Sequence, residues 1–187
     1  MPRLTNVHAI GPVAKCSNAR VNLHETIACH AQSKIVLVTP GGVRTHIPLD
    51  EWPEDEHIVW LCSWSLKTSR QDIILCDDVP LSFNEILASC DAVISKPGYG
   101  IVTETVCNQI PVLYAKRGDW PEETHLIKWW QENGVVAEIP KDALQSGEVI
   151  ESLQLLWQQE FRKTVYPAGI RDACKIIAEY IEPKNRS

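Results

Sequence analysis

At 187 residues the chain is long enough for one full domain with a sizeable core and too short for two large ones. A formal net charge of -6, with Lys and Arg scattered rather than gathered into a stripe, argues against a nucleic-acid partner and an anionic membrane surface. It leaves room for a small anion held by backbone amides, and no apolar run approaches the roughly 18 to 20 residues of a membrane span. The N-terminal MPRLTNVHAIGPVAKC carries no long apolar signal region, so the expected setting is cytoplasmic.

In chain order, residues 1–15 read as a lead or linker segment. ARVNLHETIACHAQ has apolar residues near helical spacing, and SKIVLVTPGG is a β-branched strand closed by Pro and two Gly. HIVWLCSW and DIILCDD are two further strands. LSFNEILASC is a helix presenting Phe83, Ile86, Leu87 and Cys90 on one face, and it runs into the strand DAVIS. IVTETVCNQ then reads as helix, PVLYA as strand, EETHLIKWWQEN as a helix stopped by Gly134, and VVAEI as strand. Two more helices, EVIESLQLLWQQEF and AGIRDACKIIAEYIE, are separated at Tyr166-Pro167. Strands alternating with helices predict an α/β domain, a doubly wound parallel sheet covered on both faces, over residues 16–182 with a tail at 183–187.

The seven cysteines are odd in number, form no CxxC pair and mostly sit in apolar runs such as IVWLC and DIILC. They read as small buried residues of a reducing compartment. The seven tryptophans are dispersed and are expected to pack a core or an interface.

Ligands of doubly wound sheets bind beyond the carboxyl ends of the strands, which directs attention to three loops. In TPGGVRTH, Gly41 and Gly42 are either a plain tight turn or a place where backbone amides approach a phosphate. In SKPGYGIVTET, Gly98 and Gly100 suggest a tight turn into a helix N-terminus, whose amides and dipole favour an anion. Glu104, placed in the first helical turn, either complements that dipole or accepts from ribose hydroxyls. AKRGDWPEETH brings Arg117, Asp119, Glu122 and Glu123 together; its EE pair is either N-terminal charge complementation or part of a set of acceptors for sugar hydroxyls. The six histidines lack metal-ligand spacing, and neither GxSxG nor GxxxxGK[ST] occurs.

Taken together, GPVA, VLVTPGG, LASCDAVISKPGYGIVTETVCNQIPVLYAKR and ENGVVAEI resemble the C-terminal, donor-binding half of GT-B glycosyltransferases. The likeness is to the family-28, peptidoglycan N-acetylglucosaminyltransferase type and to the glycosyltransferase-like domain of plant arabinose kinases. It spans roughly residues 10 to 182 and is most specific over 88–117. The resemblance implies a UDP-sugar as substrate and no cofactor or metal. It implies phosphate loops at Gly41, Gly42, Gly98, Tyr99 and Gly100, a ribose ligand at Glu104, and donor-sugar contacts at Glu122 and Glu123, with Arg117 and Asp119 in the same loop.

Two departures stand out. Ile101 replaces a common Thr, with Thr103 close by as a hydroxyl, and Glu122-Glu123 replace an amide pair, which suits a neutral sugar. The acceptor site and general base of such enzymes lie in an N-terminal domain, so an acceptor domain or partner subunit is expected, either on a longer chain or as in the two-subunit N-acetylglucosaminyltransferase of dolichol-linked glycan synthesis. The implied reaction is an inverting hexosyl transfer. A nucleotide-sugar epimerase fragment and a non-catalytic sugar-nucleotide-binding or interaction module are the alternatives, and the face toward the other half could also support a homodimer.

Overall fold

The run KIVLVT is dominated by β-branched residues, which suit a pleated backbone, and it forms β1 (Lys34–Thr39) inside the sheet. The computed structural model describes residues 7–17, 20–41, 46–118 and 120–181. Five strands join β1: β2 (Ile58–Cys62), β3 (Ile73–Leu75), β4 (Ala92–Ser95), β5 (Val112–Tyr114) and β6 (Val136–Glu138). Every pairing is parallel, and the order is β3-β2-β1-β4-β5-β6. This is the doubly wound α/β sheet expected from the sequence, with its order reversing between β1 and β4.

The period-2 alternation of the strands divides the core into two layers. Ile35 and Leu37 of β1 join Val59, Leu61, Val93 and Val112 on one face. Val36 and Val38 join Trp60, Ile94 and Leu113 on the other. The first layer is covered by α2 (Phe83–Ser89), α3 (Tyr99–Asn108) and α4 (Glu123–Asn133), through Ile86, Leu87, Val102, Val106, Ile127 and Trp130. The second is covered by α5 (Ala143–Ser146) and α6 (Ile150–Trp157), through Leu144, Leu153 and Leu156. Each such side chain contributes about 1.5–3 kcal/mol by leaving water, which explains why the buried interiors of β1 and β4 are apolar between the exposed Lys34 and the terminal Thr39 and Ser95.

Several elements differ from the sequence expectation. The helix expected over residues 19–32 is a single turn, α1 (Leu23–Thr26), closed by Ala28 in a left-handed conformation at φ 53°. α2 gains a capping box, in which Ser82 Oγ accepts from the Glu85 amide and the Glu85 carboxylate accepts from the Ser82 amide. α3 begins at Tyr99 rather than Ile101, so Glu104 lies in its second turn and does not complement the dipole of the first. Among the cysteines only Cys62 and Cys90 are buried; Cys29, Cys76 and Cys107 are half-buried, and Cys16 and Cys174 are exposed, on helix surfaces and connections rather than strand interiors. Trp52, Trp60 and Trp130 fill the core as expected, whereas Trp120 is half exposed.

The segment read as a lead is a strap packed against α3 and α7 (Gly169–Ile181). The Gly169 amide donates to Pro12 O at 3.0 Å, and the Gly11 amide donates to the Asp172 carboxylate at 3.1 Å. A Cβ on Gly169 would collide with the Gly11 carbonyl oxygen, so the two chains approach at backbone distance. No helix of the described residues is long and apolar enough to cross a membrane.

Gly147 gives a direct test of the packing on the α5 side. Its φ is +76°, and an added Cβ would lie 2.5 Å from Trp52 Cγ and 2.8 Å from Pro53 Cδ. Trp52 cannot yield, because its ring packs edge-on against Trp60 at 5.1 Å and its Nε1 donates to Leu144 O at 3.1 Å. Gly147→Ala is expected to cost about 2–4 kcal/mol in urea unfolding, combining overpacking with left-handed strain. An unchanged midpoint would refute this packing.

Candidate functional site

The ends of β1 and β4 are tied by Ser95, whose hydroxyl donates to Thr39 O at 2.7 Å. Beyond that bond the two chains part. After β1, Gly41 turns at φ +76°, a conformation that favours glycine. After β4, Lys96, Pro97 and Gly98 lead directly into α3. The Val102 amide bonds Gly98 O at 2.9 Å and Gly98 offers no side-chain cap, so the amides of Tyr99, Gly100 and Ile101 precede the first intrahelical bond. The positive end of the helix therefore opens into the gap between the two loops.

A cavity of about 270 Å³ fills this gap. It is lined by Thr39 and Gly41 at and after the end of β1, by Ser95, Lys96 and Gly98 at and after the end of β4, by Tyr99, Gly100, Ile101 and Glu104 of α3, and by Phe83 and Arg117. The Arg117 guanidinium reaches across it, with Nη2 3.5 Å from where a Cβ on Gly98 would lie and 4.0 Å from one on Gly41. Arg117 Nε is buried and has no hydrogen-bond partner among the described residues, while the guanidinium lies 5.5 Å from the Trp120 ring centroid. Burial and the nearby charges of Arg117 and Lys141 push the Lys96 ammonium below its ordinary range. Lys141 Nζ itself donates to Arg117 O at 2.6 Å. Lys96 and Arg117 thus line the cavity with the Lys141 charge near them, an arrangement that gains energy from an anion between them.

Glu104 lines the same cavity from the second turn of α3. Burial raises its carboxyl above the ordinary range, opposed by a hydrogen bond from the Lys15 backbone amide and by the Lys15 charge. Glu104 thus supplies a hydrogen-bond acceptor to the cavity that Lys96 and Arg117 also line.

The sequence-predicted residues fall into distinct groups. Gly41, Gly98, Tyr99, Gly100, Glu104 and Arg117 are brought together at the cavity. Gly42 and Asp119 lie outside the described residues. The tight turn expected of the second loop is absent: Gly98 is extended at φ -142°, and a Cβ on Gly100 would meet open space. Glycine there leaves the backbone uncovered rather than permitting a special conformation.

Thr103 is buried, and its hydroxyl faces the carbonyls of Val13 (3.0 Å), Tyr99 (3.0 Å) and Gly100 (3.2 Å), so it holds the strap to α3 instead of lining the cavity. Glu122 is exposed at the start of α4. Glu123 is 6% exposed and accepts from the amides of Arg117 (2.6 Å) and Gly118 (3.0 Å), so its carboxylate is committed to shaping the Arg117 loop. Sequence reasoning did not single out Lys96, Lys141 or Phe83. Lys96 was legible as the cation at the end of a strand before Pro-Gly, but Lys141 is brought in by tertiary structure alone. Phe83, expected in the core, is 39% exposed and faces the cavity.

No family model and no curated protein matches the chain. Solved structures do. The fold is similar to the glycosyltransferase SnogD from Streptomyces nogalater, with a TM-score of 0.50 at 17% identity over 88% of this chain and 48% of that one. It is similar to CalG4, the calicheamicin glycosyltransferase, with a TM-score of 0.61 at 15% identity over 82% and 44%. It is similar to the spinosyn forosaminyltransferase SpnP, with a TM-score of 0.53 at 17% identity over 88% and 49%. At these identities the likeness fixes the fold: a Rossmann-like α/β domain corresponding to one half of a GT-B glycosyltransferase. The chain spans about half the length of the structures it matches.

The Arg117 loop can be tested without any ligand. Glu123→Ala takes the carboxylate from two part-buried amides and is expected to cost about 1–3 kcal/mol in chemical denaturation, whereas Glu122→Ala at the neighbouring exposed position is expected to change stability by less than about 0.5 kcal/mol. Equal effects would contradict the assignment of Glu123 to the loop.

Proposed function

We propose that this domain binds the diphosphate and ribose of a nucleotide sugar, most directly a UDP-sugar, as the donor half of a hexosyltransferase. The observation that carries the reading is the meeting, at the point where the strand order reverses, of an uncapped helix N-terminus with Lys96 and Arg117. A diphosphate answers both, by accepting from helix amides and by neutralising cations. Glu104 lies farther along α3, in reach of the part of the ligand next to the phosphates, and its carboxylate accepts from paired ribose hydroxyls. Phe83 and Tyr99 offer exposed rings at the cavity to the remaining apolar parts of the nucleotide. That the solved structures sharing the fold are glycosyltransferases supports sugar transfer over the other chemistries a Rossmann-like domain can host.

In this reading the reaction is an inverting displacement. An acceptor oxygen attacks the anomeric carbon, the bond from that carbon to the diphosphate oxygen breaks, and the diphosphate leaves with the electron pair. The amides of Tyr99, Gly100 and Ile101 and the guanidinium of Arg117 stabilise the charge that develops on it, which is electrostatic catalysis. The acceptor's proton passes to a base on a second domain or a partner subunit, which also supplies the acceptor site. Glu122, exposed at the start of α4, is the residue this reading assigns to the donor sugar; Glu123 orients the loop that carries Arg117.

Two substitutions separate this site from a merely structural helix start. In calorimetric titrations with UDP, with dTDP and GDP as controls, Glu104→Ala is expected to weaken UDP binding at least about tenfold, near the 1.4 kcal/mol expected of one lost charged hydrogen bond, with the fold intact. Gly100→Ala is expected to hold or raise stability, by up to about 1 kcal/mol, because Ala favours helix and its methyl meets open space. The same methyl should lower UDP affinity by covering the amides. No binding of any of the three nucleotides would overturn the reading in favour of a non-catalytic interaction module.

A further inference from the structure

The strap of residues 7–17 is joined to α3 by a contact that the proposed site does not use. Asn108 grips the backbone on either side of Cys16: its Nδ2 donates to Lys15 O at 3.2 Å and its Oδ1 accepts from the Ser17 amide at 3.2 Å. The same Nδ2 bonds Glu104 O at 2.8 Å, so the clamp is anchored to the helix itself. Cys16 is thereby held beside the part of α3 that carries Cys107, and each thiol acts on the ionisation of the other. Cys16 is exposed and Cys107 half-buried, so a soluble oxidant reaches the first while the second waits beside it.

We propose that Cys16 and Cys107 are a reversible dithiol–disulfide pair that locks the strap onto α3. The oxidant is a low-molecular-weight disulfide such as oxidised glutathione. The Cys16 thiolate attacks one of its sulfurs, the glutathione S–S bond breaks, and one glutathione thiolate leaves. Cys107 then gives its proton to solvent and attacks Sγ of Cys16, and the second glutathione leaves as its thiolate. Two protein thiols are oxidised by two electrons and one glutathione disulfide is reduced to two thiols; excess reduced thiol reverses both steps.

The order of attack follows from the surroundings of the two thiols. Burial and the Glu104 charge raise the Cys16 thiol, and its interaction with Cys107 offsets part of that, while burial together with Cys16 holds Cys107 up at about 12. Cys16 is the attacking thiol and Cys107 the resolving one. The other half-buried and buried thiols lack this combination. Cys62, for example, is 1% exposed and its Sγ donates to Trp64 O at 3.1 Å. Closing a covalent loop from residue 16 to 107 encloses β1 to β4 and most of α3, which restricts the unfolded chain and fixes the strap in the folded one.

The test uses the full chain carrying Cys174→Ser, which removes an exposed thiol able to link two molecules. The folded protein is incubated with oxidised glutathione at mildly alkaline pH and mapped by mass spectrometry without reduction. The expected result is one linked peptide pair joining Cys16 and Cys107, two hydrogens lighter than the dithiol and restored by dithiothreitol. In that oxidised form the amides of residues 13–17 should exchange with solvent roughly tenfold or more slowly. Adding Cys107→Ser should stop the reaction at a stable glutathione adduct on Cys16. A stable adduct on Cys16 with Cys107 intact, a link through any other cysteine, absence of oxidation, or unchanged exchange at residues 13–17 would each overturn the proposal.

Discussion

The structure depends on one pairing, that of β1 with β4. Both strands are buried on both faces, and they run parallel with Val36 opposite Ala92 and Thr39 opposite Ser95. Parallel neighbours cannot be joined by a hairpin, and their crossovers wind outward in opposite directions, β1 toward β2 and β3, β4 toward β5 and β6. The chains leaving their carboxyl ends must therefore diverge. The cavity is the space that divergence leaves, and the Ser95–Thr39 hydrogen bond marks where it begins.

What makes the crevice more than a gap is the character of the groups around it. A helix N-terminus, Lys96 and an arginine whose buried Nε has no hydrogen-bond partner among the described residues meet where the backbone is left uncovered by Gly98 and Gly100, with Lys141 on the Arg117 carbonyl. Desolvated like charges are costly to hold together, and the fold accepts that cost at this place. Glu123 shows how it is done: a buried carboxylate spends itself on two backbone amides so that the loop presents Arg117 inward. The overall acidity of the chain is thus no guide to its local field, since the cations needed for an anion come from separate segments of sequence.

The strap adds a second layer of organisation. It reaches α3 through Thr103 and Asn108 and α7 through Gly11 and Pro12, and it brings the Lys15 amide to the Glu104 carboxylate. The N-terminal segment is therefore part of the surroundings of the site and not a spacer ahead of the domain.

The sequence by itself determined the α/β class, the strands and the parallel winding, because β-branched runs such as KIVLVT and IVWLC and the apolar spacing of the helices are local signals of burial. It also marked Gly41, Gly98, Gly100, Glu104 and Arg117, because strand-end loops are the places where such a fold presents backbone and charge. It could not assign Thr103 and Glu123 correctly, since both are polar residues next to the site whose hydrogen bonds go to distant or newly formed backbone groups. Only the tertiary structure decided that Lys141 reaches the Arg117 carbonyl, that Cys16 is brought beside Cys107 and that α3 starts at Tyr99. Such choices depend on which segments long-range packing brings together, and neither periodicity nor propensity carries that information.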